Sequence, residues 1–214
     1  MNFYCFSGLG ADERIFHKLS ITGATLHFVP WIEAETEESL PAYALRLGQT
    51  IKPKKPFCLL GVSFGGMLAT ELSRVLQPEH TFLISSALSS LEITPLIRLA
   101  GKTGIHKSLP DGFFRHPNFA VYTAFGLKAN SEKELFRQIM HDTDIDFLKW
   151  AITAIMNWNP SQTQKPKVIR IHGNAHLIIP LKDQKVDCNI KGGTHFCVLQ
   201  QAGQISKFIS SMIT

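Results

Sequence analysis

Phe57-Cys58-Leu59-Leu60-Gly61-Val62-Ser63-Phe64-Gly65-Gly66 is the stretch that decides the fold of this chain. Its first six residues are apolar apart from one glycine and follow Pro56. The run is too short for a helix and reads as a strand buried on both faces. A helical pattern follows to about Leu76, where Gln77-Pro78 ends it. A Gly-x-Ser-x-Gly sequence between strand and helix is the nucleophile-elbow pattern. A sharp turn there holds Ser63 in a strained conformation and projects its hydroxyl at the carboxyl end of a sheet. Small residues at 61 and 65 are required because neighbouring backbone would strike a side chain. The helix that starts behind Ser63 aims its dipole and the Phe64 N–H at any oxyanion formed nearby. The plainer reading, an ordinary glycine-flanked turn, lacks a reason for the flanking strand and helix.

Outward from this stretch, strands and helices alternate at both ends of the chain. Asn2–Phe6 reads as a short buried strand ending at Ser7-Gly8-Leu9-Gly10. Asp12 and Glu13 open a predicted helix through Leu19, with acidic residues where the dipole favours them. Ala24–Val29 reads as a strand, Ser39–Ile51 as an amphipathic helix, and Thr81–Ser85 as the next strand. The alternation resumes near Lys167 with predicted strands at Val168–Ile171 and Val186–Ile190, and a helix from about Gln200 to Ile213. Apolar strands alternating with helices imply an α/β protein with a mostly parallel sheet covered on both faces.

The middle of the chain has a different texture. Ser131-Glu132-Lys133-Glu134 reads as a capping box opening a helix through Met140, and Asp144–Trp158 as a second helix. Phe113, Phe114, Phe119, Tyr122 and Phe125 form an aromatic-rich stretch before them. The expected organisation is a core built from 1–87 and 166–214, with 88–165 as a helical lid insertion over one end of the sheet. Asp142, Asp144 and Asp146 imitate the start of a calcium loop. Phe147 and Thr153 stand where its glycine and bidentate glutamate belong, so helix capping is the reading taken.

The 214 residues carry 22 basic and 17 acidic side chains, a net charge of +5, with 44% hydrophobic and 18% charged residues. That composition excludes a wholly disordered chain. The basic residues are scattered; their densest cluster, Lys52, Lys54 and Lys55, has no aromatic interleaving, so no nucleic-acid partner is expected. The most apolar stretch, Pro56 to Thr70, is short and glycine-interrupted, so no membrane span is expected. Met1–Phe6 lacks the basic start of a secretory leader. Cys5, Cys58, Cys188 and Cys197 have no CxxC spacing and suit reduced, buried thiols of a cytoplasmic protein. Gly8-x-Gly10 lacks the third glycine of a dinucleotide fingerprint, there is no P-loop lysine, and His172 and His176 straddle a strand end without an HExxH glutamate. Neither a cofactor nor a metal is expected.

With its Gly61–Gly66 motif, Ser7-Gly8-Leu9-Gly10 and Gly192-Gly193-Thr194-His195-Phe196, the chain resembles the α/β-hydrolase fold family over nearly its whole length. The resemblance implies six strands, with the family's first two antiparallel edge strands missing. It also implies an oxyanion hole from the backbone N–H groups of Leu9 and Phe64, Ser63 as nucleophile and His195 as general base. The family's acid commonly sits in a His-Gly-x-x-Asp-x-x-x-Pro frame. Here the frame reads His172-Gly173-Asn174-Ala175-His176-Leu177-Ile178-Ile179-Pro180, with His176 in the acid position. Asn174, often acidic in the family, is neutral. Glu92 is a substitute acid if the chain folds back from the strand before it; Asp183 and Asp187 lie beyond the expected position; a dyad oriented by Asn174 or a backbone carbonyl remains the other route.

The activity these features imply is hydrolysis of an ester, thioester or similar acyl bond through an acyl-enzyme on Ser63, weakened by the missing acid. The aromatic insertion adds the expectation of a small, hydrophobic acyl substrate. The alternative is a non-catalytic ligand-binding or sensor protein on the same scaffold, motivated by His176. Acyl transfer to an acceptor other than water would use the same residues.

Overall fold

The computed structural model describes residues 1–160, 167–182 and 184–213. Six strands form one sheet in the order β2-β1-β3-β4-β5-β6: β1 Asn2–Phe6, β2 Thr25–Phe28, β3 Phe57–Val62, β4 His80–Ile84, β5 Ile169–Gly173 and β6 Cys188–Ile190. Every pair is parallel. All six residues of β3 are buried. They divide by the two-residue period of a strand: Cys58, Leu60 and Val62 face one hydrophobic cluster, Phe57 and Leu59 the other.

Helices α1 (Leu40–Gln49) and α2 (Phe64–Leu76) fill the second cluster through Leu40, Tyr43, Leu47, Phe64, Leu68 and Leu72. On the opposite face α10 (Ala202–Ile213) supplies Ile205 and Ile209, joined by Ile15 and Phe16. From β1 the chain first winds outward to β2, then returns past β1 to build β3 through β6 in the other direction. The reversal lies between β1 and β3. In open α/β sheets, the carboxyl ends of the strands at such a reversal leave a crevice in which ligands bind.

Among the described residues six helices lie between β4 and β5: α3 Pro95–Lys102, α4 Ile105–Ser108, α5 Asp111–Arg115, α6 Phe119–Phe125, α7 Asn130–Asp142 and α8 Ile145–Asn157. Asp144 caps α8, accepting from the N–H groups of Asp146 and Phe147. One stripe of α8 joins both clusters: Ile145 and Leu148 belong to the first, Phe147, Ala151 and Ile155 to the second. Trp158, just beyond α8, is almost wholly buried and donates to the Glu71 carboxylate on α2 at 2.8 Å. The expected start of the second segment at 166 falls among residues outside those described.

Two local expectations need correction. The helix predicted from Asp12 to Leu19 is a single 3-10 turn, Glu13–Phe16. Asp12 binds both the Arg14 N–H and its guanidinium, and the chain beyond then gives its N–H groups to α10, Ser20 to Ser206 and Thr22 to Ser210. Tertiary hydrogen bonds replace the helical ones. The helix predicted from Ser131 starts one residue earlier, and Glu132, not Glu134, serves its start by accepting from Lys128 and Ala129 N–H. The C-terminal helix expected from about Gln200 is α10, Ala202–Ile213, and a short helix, α9 (Cys197–Gln200), precedes it, set apart at Gln201, whose backbone leaves the helical region. The four cysteines are free; all but the half-buried Cys188 are buried.

Candidate active site

Ser63 sits between β3 and α2 with φ 52° and ψ −117°, a conformation a residue with a Cβ adopts only under strain. Its surroundings over-determine it. The Ser63 N–H donates to Ile84 O at 2.9 Å, and its carbonyl accepts from Ser86 Oγ at 2.7 Å and from the Gly66 N–H at 3.0 Å. A Cβ on Gly65 would overlap the carbonyl oxygens of Phe6 and Ser7, so glycine there lets α2 close against the end of β1. That approach sets Ser63 beside the loop after β1: a methyl on Gly8 would touch Ser63 Cβ at 3.5 Å. Phe64 is the first residue of α2, and its N–H has no partner inside the helix. Leu9 lies in the Ser7–Gly10 loop, which is braced by Ser7 Oγ donating to Ala11 O at 2.7 Å.

His195 follows β6 and precedes α9, and it is buried. Its turn is held from two sides. Ser85, at the end of β4 with φ 49°, donates to Thr194 O at 3.5 Å and meets Cys197 Sγ at 3.2 Å. From the other side Thr194 Oγ1 donates to Gln200 Oε1, and Gln200 Nε2 donates to Gly126 O and Glu132 Oε2. Phe125 packs edge-on to the His195 ring with centroids 5.0 Å apart. Ser63 and His195 therefore both stand at the carboxyl end of the sheet, yet among the described residues no hydrogen bond joins Ser63 Oγ to His195.

The partner of the His195 ring is His176, its Nε2 lying 2.7 Å from His195 Nδ1. His176 Nδ1 accepts from the Ile179 N–H at 2.9 Å, and the ring stacks on His172 with centroids 4.7 Å apart. His172 Nε2 in turn donates to Ile179 O at 2.8 Å. Burial drives all three imidazoles toward the neutral form. It pulls His195 down to about 3 and lowers His172, and it lowers His176 further still, where the neighbouring His195 and His172 add to the effect.

The other candidates for the acid position are committed elsewhere. Glu92 forms an ion pair with Arg170 Nη2 at 2.6 Å, and Asp187 accepts from the Arg170 N–H at 2.7 Å. Asn174 accepts from the Gly192 N–H at 2.7 Å and so ties the end of β5 to the turn after β6. Asp183 lies outside the described residues. Two participants escaped the sequence reading: His172, seen there only as half of a metal spacing, and Ile179, which touches both rings through its backbone. A backbone group leaves no residue-type signal, so only the alternation of histidines at 172 and 176 could have pointed to the cluster.

Among the described residues no group of three or more His, Cys, Asp or Glu side chains could hold a metal ion, and no helix is long and apolar enough to cross a membrane. Of the aromatic stretch before α7, Phe125 meets His195, whereas Phe113 and Phe119 are exposed. A groove of about 1180 Å³ runs between the segment after β2 and helices α7 and α8, lined by Trp31, Phe147, Trp150 and eight carboxylates. It does not include Leu9, Ser63, Phe64 or His195.

No family model matches the chain, and no curated protein matches it. Solved structures do. A lipase-esterase related protein from Clostridium acetobutylicum superposes with a TM-score of 0.73 at 12% identity, over 98% of this chain and 93% of that one. A thermophilic esterase gives 0.70 at 17% identity over 99% and 88%, and the RedJ thioesterase of prodiginine biosynthesis in Streptomyces coelicolor 0.64 at 15% over 97% and 89%. The chain has the α/β-hydrolase fold.

Proposed function

We propose that the protein is a serine hydrolase that cleaves an ester, thioester or similar acyl bond. The observation that carries this reading is Ser63, held at φ 52° between a fully buried strand and a helix, beside the loop that bears Leu9. A side chain is kept in such a conformation where its exposed hydroxyl does work that a relaxed turn could not. Structural neighbours described as esterases and a thioesterase support the same reaction class.

In the reaction, Ser63 Oγ attacks the acyl carbonyl carbon as His195, in the tautomer that leaves Nε2 bare, takes the hydroxyl proton on that nitrogen, the one not engaged by His176. The oxyanion is held by the backbone N–H groups of Phe64 and Leu9. Collapse breaks the bond to the leaving group, which departs with the proton from His195, and leaves an acyl ester on Ser63. Water, deprotonated by the same imidazole, then hydrolyses that ester and regenerates the serine. No cofactor is needed. The helices between Pro95 and Asn157 act as a lid that covers the His195 turn through Phe125 and Gly126.

A fluorophosphonate probe tests this directly. Labelling of the wild-type protein, however slow, that disappears in Ser63→Ala is the expected result; a folded protein that neither labels nor cleaves p-nitrophenyl acetate, and stays silent in His176→Glu, overturns it. That negative outcome would favour a ligand-binding or sensor protein, the reading motivated by a histidine where a carboxylate would serve catalysis.

A further inference from the structure

One hydrogen lies between His195 Nδ1 and His176 Nε2, 2.7 Å apart, and the backbone decides which ring owns it. The Ile179 N–H can only donate, and it points at His176 Nδ1 from 2.9 Å. That nitrogen therefore carries the lone pair, and the single hydrogen of the neutral ring is on Nε2. His176 donates and His195 Nδ1 accepts. The hydrogen of His195 is consequently on Nε2, the nitrogen left for Ser63. His172 stacks against the His176 ring and is itself fixed by donating to Ile179 O, so the central ring is held in this orientation.

We infer that His176 is a positioning residue that holds His195 in the tautomer with hydrogen on Nε2, and thereby keeps Ser63 from being deprotonated. The inference rests on the serine hydrolase reading above. A carboxylate at this position could only accept, and would hold the opposite tautomer, with Nε2 bare. Here the catalytic tautomer requires His176 Nε2 to be bare as well, which puts its hydrogen on Nδ1, facing the Ile179 N–H donor to donor. Placing an extra proton on the pair is opposed by burial, a cost that the backbone at Ser85, which favours the charged form of His176, offsets only in part. The base is present in the site, but in its unreactive form.

The magnitude follows from serine proteases, in which an amide replacing the acid holds the wrong tautomer in otherwise intact geometry and lowers kcat by about 10⁴-fold. Restoring a carboxylate should recover part of that. His176 Nε2 lies farther from its Cβ than an aspartate oxygen would, so glutamate has the matching reach.

The experiment reads ring nitrogens and rate together. In the wild-type protein at neutral pH, ¹⁵N chemical shifts should show hydrogen on Nε2 of both His195 and His176. In His176→Glu the His195 hydrogen should move to Nδ1, and kcat/KM for p-nitrophenyl acetate should rise about 10²- to 10⁴-fold; His176→Asp should rise less. A wild-type His195 with hydrogen on Nδ1 overturns the inference, and needs no variant to be seen. A tautomer that moves in His176→Glu with no gain in rate overturns it as well. Absence of fluorophosphonate labelling in both proteins would instead remove the hydrolase reading, while the nitrogen shifts still decide the tautomer.

Discussion

The turn after β3 and the histidine cluster after β5 and β6 face the same end of the sheet but are built from different materials. The first is backbone: a positive φ at Ser63, glycines where carbonyls of β1 and its loop press in, and N–H groups at the start of α2. The second is side chain: three stacked or abutting imidazoles whose hydrogens are assigned by one residue, Ile179. A backbone site tolerates much sequence change while the turn persists. A side-chain site changes its chemistry with a single residue, because a donor in place of an acceptor reverses every hydrogen down the chain.

The comparison can be broken most sharply at Ser63. Ser63→Ala should abolish probe labelling and ester cleavage while leaving the thermal midpoint close to wild type, since the hydroxyl has no hydrogen-bond partner among the described residues. An active Ser63→Ala protein would mean that the turn is only architecture.

Gly65→Ala should act on the fold instead. Its methyl would overlap the Phe6 and Ser7 carbonyls, rigid backbone of the central strands, so a loss of about 3 kcal/mol or more is expected in denaturant unfolding. An unchanged midpoint would show that α2 does not pack against β1 as described.

Away from both sites, Glu92→Gln leaves Arg170 buried beside Ser86 O without its carboxylate, and about 3 kcal/mol of stability should be lost. Glu92 does not meet His195, so the pH dependence of any esterase activity should be unaltered. A shifted acid limb would return Glu92 to the list of catalytic acids.

The effect spread over the most residues is on pH. His172, His176 and His195 have folded-state pKa values below the ordinary 6.5, and so does His106. Unfolding therefore takes up protons below about pH 6.5, so stability from these groups is complete above that value and falls as pH drops, toward about 3 for His195. The expected slope below pH 6.5 approaches about 1.4 kcal/mol per pH unit for each histidine that stays neutral. Calorimetry between pH 7.5 and 5 checks this; a flat midpoint across that window would mean that the cluster is protonated or exposed. Activity per folded molecule should show no acid limb near 6.5.

Legibility in the sequence followed the range of the forces involved. The strand Phe57–Val62 and the helix that ends at Leu76 have the bounds their pattern implied, because an apolar run closed by Pro56 and a glycine turn has few other solutions. The segment after Asp12 did not, because Asp12, Ser206 and Ser210 supplied partners that a local reading cannot see. Glu132 took the capping role from the Ser131 box for a related reason: it also binds Gln200, which secures the His195 turn. The expectation of a hydrophobic substrate from the aromatic stretch was compositional, and direction was the missing quantity. Phe125 turned toward His195 and Phe119 toward solvent.

Periodicity and glycine placement were thus enough to settle the layered sheet and the turn at Ser63, since both follow from backbone sterics over a few neighbouring residues. The ownership of a hydrogen between His176 and His195 was settled only in three dimensions. It depends on an N–H three residues along from His176 and on a ring nineteen residues away meeting at hydrogen-bond distance, which no local pattern encodes.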